Sequence, residues 1–442
     1  MIAMLRRKAY SLLLNWKGRE NKKPLMIKGA RQVGKTFLVR EFGKNEYESF
    51  IEMNFIKDPS LKDIFAGNLD AKEIYKRITA NIPDSKLIPG KTLIFMDEIQ
   101  VSGKARTAIK FLAEDGSFDI ITSGSLLGLT YGEDDDPMVE EPESNPTGYE
   151  EFITMYSLDF EEFLWANGYD EERISIIKGY FDSKEKVPDA INNRYEQLFR
   201  EFIVVGGMPE VVADFVQNKD FGRVDAIQRR IITDYGFDIA KHAKGAEKIK
   251  VKACYDSIPK QLSKETKKFQ YSVVEKRQTK KKYGDSITWL VDSALTNVCY
   301  NVHEPYIPLL GNAKEECFKL YINDTGLLCA MYGFETKRAI LNNTIKGNVK
   351  GGIYENVVSE CLVKKGHRLY YFKPDNQHEI EFILEKEGGV VPLEVKAGNT
   401  STPSLNAFVH DFGPSSAYKL VFGNQGHDGI KRTLPHYMVM FL

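Results

Sequence analysis

The stretch Gly29-Ala30-Arg31-Gln32-Val33-Gly34-Lys35-Thr36 constrains this chain more than any other. It fits G-x-x-x-x-G-K-[ST], follows the apolar run Leu25-Met26-Ile27 and precedes the amphipathic run "FLVREF". That order predicts a strand, a glycine-bent loop and a helix, the setting in which this motif holds a nucleotide. Glycines let the backbone curl until its N–H groups face phosphates, and the helix that follows adds its positive end. Gly29, Ala30, Arg31, Gln32, Val33, Gly34, Lys35, Thr36 and Phe37 are the expected nucleotide-binding residues. Lys35 is expected to reach the β- and γ-phosphates, with a catalytic share in their transfer. The Thr36 hydroxyl is expected to ligate Mg²⁺, so the cofactors implied are ATP and Mg²⁺.

A second element agrees with the first. "TLIFMDEIQ" reads as an apolar strand ending in Asp97-Glu98. An acid at such a strand end holds Mg²⁺, and Glu98 beside it is placed to polarise a water against the γ-phosphate. Asp97 is therefore expected as a metal ligand and Glu98 as a catalytic residue. The next strand, "FDIITSGS", ends in Ser123 and Ser125. Ser123 is the preferred γ-phosphate contact and Ser125 the alternative. Arg106 and Arg31 are candidates for the arginine that often completes such sites.

The frame around these residues is α/β. "PLMIKG", "SFIEMNF", "KTLIFMDE" and "FDIITSGS" alternate with helical sequence, the rhythm of a parallel sheet covered on both faces. A chain of 442 residues predicts two to four domains. No stretch reaches the roughly 18 apolar residues of a membrane span. Five scattered cysteines form no C-x-x-C pair, which together with the charged N-terminus points to the cytoplasm. From Glu133 to Glu143 seven of eleven residues are acidic, the signature of a solvated loop.

Further along, "YSLDFEEFLWANG" to about residue 240 reads as helical, broken at "VVGGMPEVV". Between Lys241 and Leu290 fourteen Lys and Arg face five Asp and Glu. Helix, turn, helix and strand follow, and Lys276, Arg277, Lys280, Lys281 and Lys282 cluster between the helices where phosphate contacts form. The competing readings are a solvated basic face, or a docking face for the acidic 133–143 loop of this or another subunit. Near the C-terminus, Glu355 falls on the helical "YENVVSECLVKKG", Glu381 on "EIEFIL" and Glu394-Val395-Lys396 on "VVPLEVKAG". A helix Glu, a strand acid and a strand E-x-K form the skeleton of restriction-type nucleases. Glu355, Glu381 and Glu394 are candidate ligands of a second Mg²⁺, with Lys396 orienting a water. The seven histidines show no metal-ligand spacing.

"KPLMIKGARQVGKTFLVREFG", "IFMDEIQ", "ITSGSLLG", "LDFEEFL", "VVGGMPEVV" and "FKLYINDTGLL" occur in this order. Together they resemble the large prokaryotic family of AAA-type ATPases fused to a C-terminal domain of unknown function. The resemblance implies an AAA-type P-loop ATPase core over 1–165, a helical lid over 166–240, a winged-helix-like basic segment over 241–312 and a restriction-endonuclease-like α/β domain over 313–442. Two departures stand out. The family often carries Gly-Arg where this chain has Gly148-Tyr149, and Asp where it has Glu381.

Three functions are therefore open at the level of sequence. One is an ATPase whose cycle acts on DNA or RNA. Another is a nucleotide-dependent switch that binds a protein partner, and the third an ATP-gated metal-dependent nuclease. A homo-oligomer fits each, and none needs a membrane.

Overall fold

The structure is a computed structural model that describes residues 5–125, 146–243, 247–277, 279–375, 377–386, 388–398 and 401–442. The acidic stretch Glu133–Glu143 and the side chain of Ser125 lie outside the described residues. The chain divides into two compact units, Arg6–Tyr156 and Ser157–Leu442.

The first unit is built on a five-stranded parallel sheet. Its strands are β1 (Leu25–Gly29), β2 (Ser49–Asn54), β3 (Thr92–Asp97), β4 (Asp119–Ser125) and β5 (Glu151–Thr154), in the order β2-β3-β4-β1-β5. The four apolar runs identified in the sequence are four of these strands. The short edge strand β5 had no comparable apolar run. All six residues of β3 are buried, which is why it reads as an unbroken apolar run. Ile51, Met53, Ile94 and Met96 pack with Ile74 and Ile78 of the helix Ala71–Asn81 and with Ile109 and Leu112 of the helix Gly103–Asp115. Each fully buried Ile or Leu there stabilises the unit by about 1.5–3 kcal/mol. Because β4 separates β1 from β3, the ends of all three strands meet at one edge of the sheet.

The second unit begins with five helices, Phe160–Ala166, Glu171–Ser183, Asp189–Val205, Pro209–Asn218 and Phe221–His242. "LDFEEFL" starts the first of them through a capping box, in which Asp159 accepts from the Glu162 amide and Glu162 accepts from the Asp159 amide. The motifs "LDFEEFL", "VVGGMPEVV" and "YINDTGLL" meet at Asp324, which is fully buried. Its carboxylate accepts from the Ser157 hydroxyl at 3.0 Å, the Gly207 amide at 2.7 Å and the Leu327 amide at 3.2 Å. A Cβ at Gly207 would lie 2.0 Å from the Leu158 carbonyl oxygen, so only glycine lets the two segments approach this closely.

The helices Glu247–Leu262 and Lys280–Asp292 then lead into an eight-stranded mixed sheet. Its strands are β6 (Thr296–Val302), β7 (Ala313–Ile322), β8 (Leu369–Phe372), β9 (Ile380–Lys386), β10 (Gly389–Val395), β11 (Ala417–Val421), β12 (Gly426–Asp428) and β13 (Lys431–Pro435). They run in the order β12-β13-β11-β10-β9-β8-β6-β7. The strand expected as a wing after the second basic helix is β6, an inner strand paired with both β7 and β8. Long-range pairing, invisible in a local pattern, draws it into this sheet. The helix Gly347–Lys364 packs against the sheet, and its Ile353, Val357 and Val358 are buried.

Candidate functional site

The loop after β1 takes its shape from three residues with positive φ. Gly29 has φ +155°, Gln32 φ +64° and Gly34 φ +93°. A Cβ at Gly29 would stand 2.1 Å from the Met155 carbonyl oxygen, so this position requires glycine on steric grounds as well. The helix Lys35–Glu46 starts directly at the loop, with Gly34 as its N-cap and no side chain capping its first turn. Its leading N–H groups and dipole therefore suit an anion. Lys35 Nζ donates to the carbonyls of Gly29 at 3.0 Å and Ala30 at 2.9 Å. Burial pulls this ammonium down to about 8, against the pull of Glu98 and Asp97. Arg31 is partly buried, while Gln32 and Phe37 are exposed.

Asp97 ends β3 and is 2% exposed. Its carboxylate accepts from the Thr36 hydroxyl at 3.0 Å and from Asn54 Nδ2 at 2.8 Å. The buried Ser123 hydroxyl donates to its other oxygen. The structure thus brings together Thr36, Asp97 and Ser123, three of the residues singled out in the sequence. Asn54 completes the group and carried no sequence signal, since a strand-end Asn reads as an ordinary turn residue. Its own Oδ1 accepts from the amides of Ile56 at 3.2 Å and Lys57 at 2.8 Å, which fixes the orientation of its amide. All three hydrogen-bond donors are uncharged, and carboxylate oxygens are the hard ligands that suit Mg²⁺.

Glu98 adopts the left-handed conformation at φ +56° and accepts from Gln100 Nε2 at 2.6 Å. A non-glycine residue held there stores roughly 1–3 kcal/mol of strain, which tends to gather at functional sites. Arg106, a candidate for the completing arginine, is committed elsewhere. Its guanidinium forms a two-pronged pair with Glu150, the side chains being 12% and 3% exposed. Tyr149 lies under the Lys110 ammonium at 5.2 Å.

In the second unit the basic residues Lys276, Arg277, Lys280, Lys281 and Lys282 are all exposed. Lys276 and Arg277 occupy a turn, and the three lysines open the helix Lys280–Asp292. Glu275 lies 2.6 Å from Lys282 and Glu315 lies 3.9 Å from Lys280. Cations at a helix N-terminus oppose its dipole, so local stability does not account for them.

The C-terminal candidates come within electrostatic reach of one another, but with lysines among them. Glu355 is buried and bridged by Lys267 at 2.9 Å and Lys319 at 3.2 Å, and it accepts from the Tyr321 hydroxyl at 3.1 Å. Lys319, itself 1% exposed, also reaches Glu379 at 2.5 Å, and Lys373 holds Glu379 from the other side at 2.8 Å. Glu394 is fully buried and paired with Lys396 at 2.8 Å. Glu381 accepts from the Val395 amide at 3.1 Å and lies where the β8–β9 pairing shifts register. Such a bulge re-aims side chains, so strand alternation could not place Glu381. Burial raises Glu381 to about 8, and Glu355 adds to the effect. Among the described residues no group of three His, Cys, Asp or Glu side chains is arranged to hold a metal ion. The donor set expected for a second Mg²⁺ does not fit one, because Glu355 and Glu394 already carry ammonium partners and Glu381 is turned to the Val395 amide. Lys319, Lys267 and Glu379 were not identified from the sequence. A lone Lys in the apolar run "FKLYI" was the one visible sign.

Comparison with known proteins follows the same division. Residues 21–164 match a family model described as an AAA domain. Residues 196–338 and 350–433 match two models described as domains of unknown function, DUF8612 and DUF4143. Uncharacterized proteins of Mycobacterium bovis and Mycobacterium tuberculosis are each 29% identical over 129 residues, covering 29% of this chain and 26% of theirs. The chain thus spans about a quarter of the length of these curated relatives. Among solved structures, a Walker-type ATPase of Pyrococcus abyssi is similar over 74% of this chain and 96% of its own, with a TM-score of 0.45 and 13% identity. The ORC1 protein of Aeropyrum pernix in complex with DNA covers 76% of this chain and 94% of its own, with a TM-score of 0.32 and 12% identity. Among the described residues no helix is long and apolar enough to cross a membrane.

Proposed function

We propose that the ATP cycle of the AAA-type P-loop ATPase domain over residues 21–164 governs the binding of DNA or RNA by the second unit. The observation that carries the first half is the buried Asp97 carboxylate, held by Thr36, Ser123 and Asn54 beside the phosphate loop. In this reading the loop amides of residues 29–36 and the Lys35 ammonium bind the phosphates. Thr36 and Asp97 hold the metal. A Mg²⁺ held there would supply positive charge that offsets the charge building on the phosphates during transfer. Ser123 reports on the γ-phosphate through Asp97. Glu98, in its left-handed pose, orients the attacking water and takes up its proton. The products are ADP and inorganic phosphate.

The second half rests on five exposed cations gathered on one turn and one helix start, two of which have an acid within 4.0 Å among the described residues. In this reading they contact backbone phosphates, in a protein of the cytoplasm. Binding would then fall steeply with salt, by a slope of roughly 0.9 for each duplex phosphate neutralised. The test is ATP turnover and nucleic-acid binding across a salt series, for the parent chain and for Lys280→Glu/Lys281→Glu. The reading expects turnover in both proteins, weaker binding in the variant and a salt slope smaller by about two. Equal binding by both proteins would transfer the role of the second unit to a protein partner.

A further inference from the structure

We propose that the Lys319 ammonium, held between Glu355 and Glu379, is the resident cation of the C-terminal carboxylate cluster. The cluster therefore takes no metal and cleaves no phosphodiester. This inference is independent of whether the second unit engages nucleic acid.

Two carboxylates from different elements converge on Lys319 Nζ. Glu355 comes from the helix Gly347–Lys364 at 3.2 Å, and Glu379 from the approach to β9 at 2.5 Å. The Tyr371 ring lies 4.8 Å from the same nitrogen, offering its negative face. With 1% of its surface exposed, this lysine is shut off from bulk water. It is a buried charge with every side committed, the only form in which such a charge persists.

The charge balance excludes a further cation. Three carboxylates, Glu355, Glu379 and Glu394, face the four ammonium groups of Lys267, Lys319, Lys373 and Lys396. A Mg²⁺ beside Lys319 would meet an immovable positive charge, and it requires six oxygen ligands at about 2.0–2.1 Å. Asp97 in the first unit shows the contrast, since its three partners are uncharged. One chain therefore holds two acidic sites of different design, one whose hydrogen-bond donors are uncharged and one closed by a lysine.

Removing the ammonium should open the second site. In Lys319→Met the Glu355 and Glu379 carboxylates lose a shared partner, and a divalent ion becomes the available substitute. The experiment counts Mn²⁺ bound per full-length chain, without nucleotide, by the electron paramagnetic resonance signal of free Mn²⁺. It is run in an Asp97→Asn background, which removes the contribution of the phosphate site. With Lys319 intact the expected count is zero. In Lys319→Met it is one, with an unfolding temperature that rises on adding Mn²⁺ and does not rise with NaCl of equal ionic strength. Equal counts in the two proteins would overturn the proposal. Should Lys319→Met fail to fold, the Lys319-containing chain decides alone. Binding of Mn²⁺ that disappears in Glu394→Gln, or plasmid cleavage in Mg²⁺ that disappears in Lys396→Ala, would overturn it. No binding and no cleavage would support it.

Discussion

Asn54 and Asp97 occupy paired positions on neighbouring parallel strands, and Asn54 Nδ2 donates to Asp97 Oδ2 at 2.8 Å. The pair links the phosphate site to the segment after β2, because Asn54 Oδ1 is held by the Ile56 and Lys57 amides. Hydrogen bonds to charged groups are worth about 1.5–3 kcal/mol. Asn54→Ala is therefore expected to lower kcat/KM for ATP by about tenfold or more, through a misplaced Asp97. Steady-state turnover at varied Mg²⁺ checks this, and the apparent Mg²⁺ requirement should rise with it. Asn54→Asp should be worse still, since it sets a second carboxylate against Asp97.

Lys35 gives ATP binding a pH signature. Burial pulls its ammonium to about 8, so part of the free protein lacks this charge above that pH. Phosphates favour the protonated form and raise its pKa on binding, so the complex takes up a proton. Affinity should fall as pH rises through 8, and calorimetry at pH 8.5 in buffers of different ionisation enthalpy should detect the uptake. Lys35→Arg should abolish it, because arginine stays charged throughout.

The Arg106–Glu150 pair is a structural element of the first unit rather than a mobile catalytic arginine. Breaking a buried pair from one side strands the remaining charge and costs about 3–5 kcal/mol. Glu150→Ala should lower the urea midpoint accordingly. Arg106→Met/Glu150→Leu should recover much of the loss, as replacing both charges with apolar groups often does.

Asp324 gathers three donors from three segments at one buried carboxylate. Asp324→Ala would leave the Ser157 hydroxyl and the Gly207 and Leu327 amides without this acceptor. Each orphaned donor costs about 1–3 kcal/mol, so a loss of about 3 kcal/mol or more is expected in chemical denaturation. Asp324→Asn, which keeps one acceptor oxygen, should lose less.

Glu381 imposes a stability change with pH. Its carboxyl titrates near 8 in the folded protein, against an ordinary 4.5, because of burial and then Glu355. The folded state therefore holds a proton that the unfolded chain releases. The stabilisation this provides is complete below about 4.5 and is lost as pH rises to about 8. Glu381→Gln lacks that loss. Measured from pH 4.5 to 8.5, the urea midpoint of the parent chain should fall relative to that of Glu381→Gln.

The first unit was largely legible because its signals are local. Gly29, Gly34, Lys35 and Thr36 lie within eight residues of sequence, and the apolar runs before Asp97 and Ser123 are short and unbroken. Strand pairing then fixes which ends meet. Asn54 escaped notice because its role exists only once β2 lies beside β3. The same holds more strongly in the second unit. Glu355, Glu381 and Glu394 could be picked out as acids on a helix and two strands, yet their chemistry depends on Lys267 and Lys319, which lie 88 and 36 residues before Glu355 in sequence. Sequence spacing identifies a charged side chain, and only the packed sheet shows which charge cancels it. The wing strand was misplaced for a related reason, since β6 gains its identity from partners that come later in the chain.

The central claim is that the Gly29–Thr36 loop, Asp97 and Glu98 form a working ATPase centre. The most direct measurement is release of inorganic phosphate from ATP by the full-length chain, beside Lys35→Ala and Glu98→Gln, with retained nucleotide quantified after rapid gel filtration. The account predicts turnover in the parent chain, no turnover and little retained nucleotide in Lys35→Ala, and stalled turnover with retained ATP in Glu98→Gln. Turnover at the parent rate in both variants would contradict it.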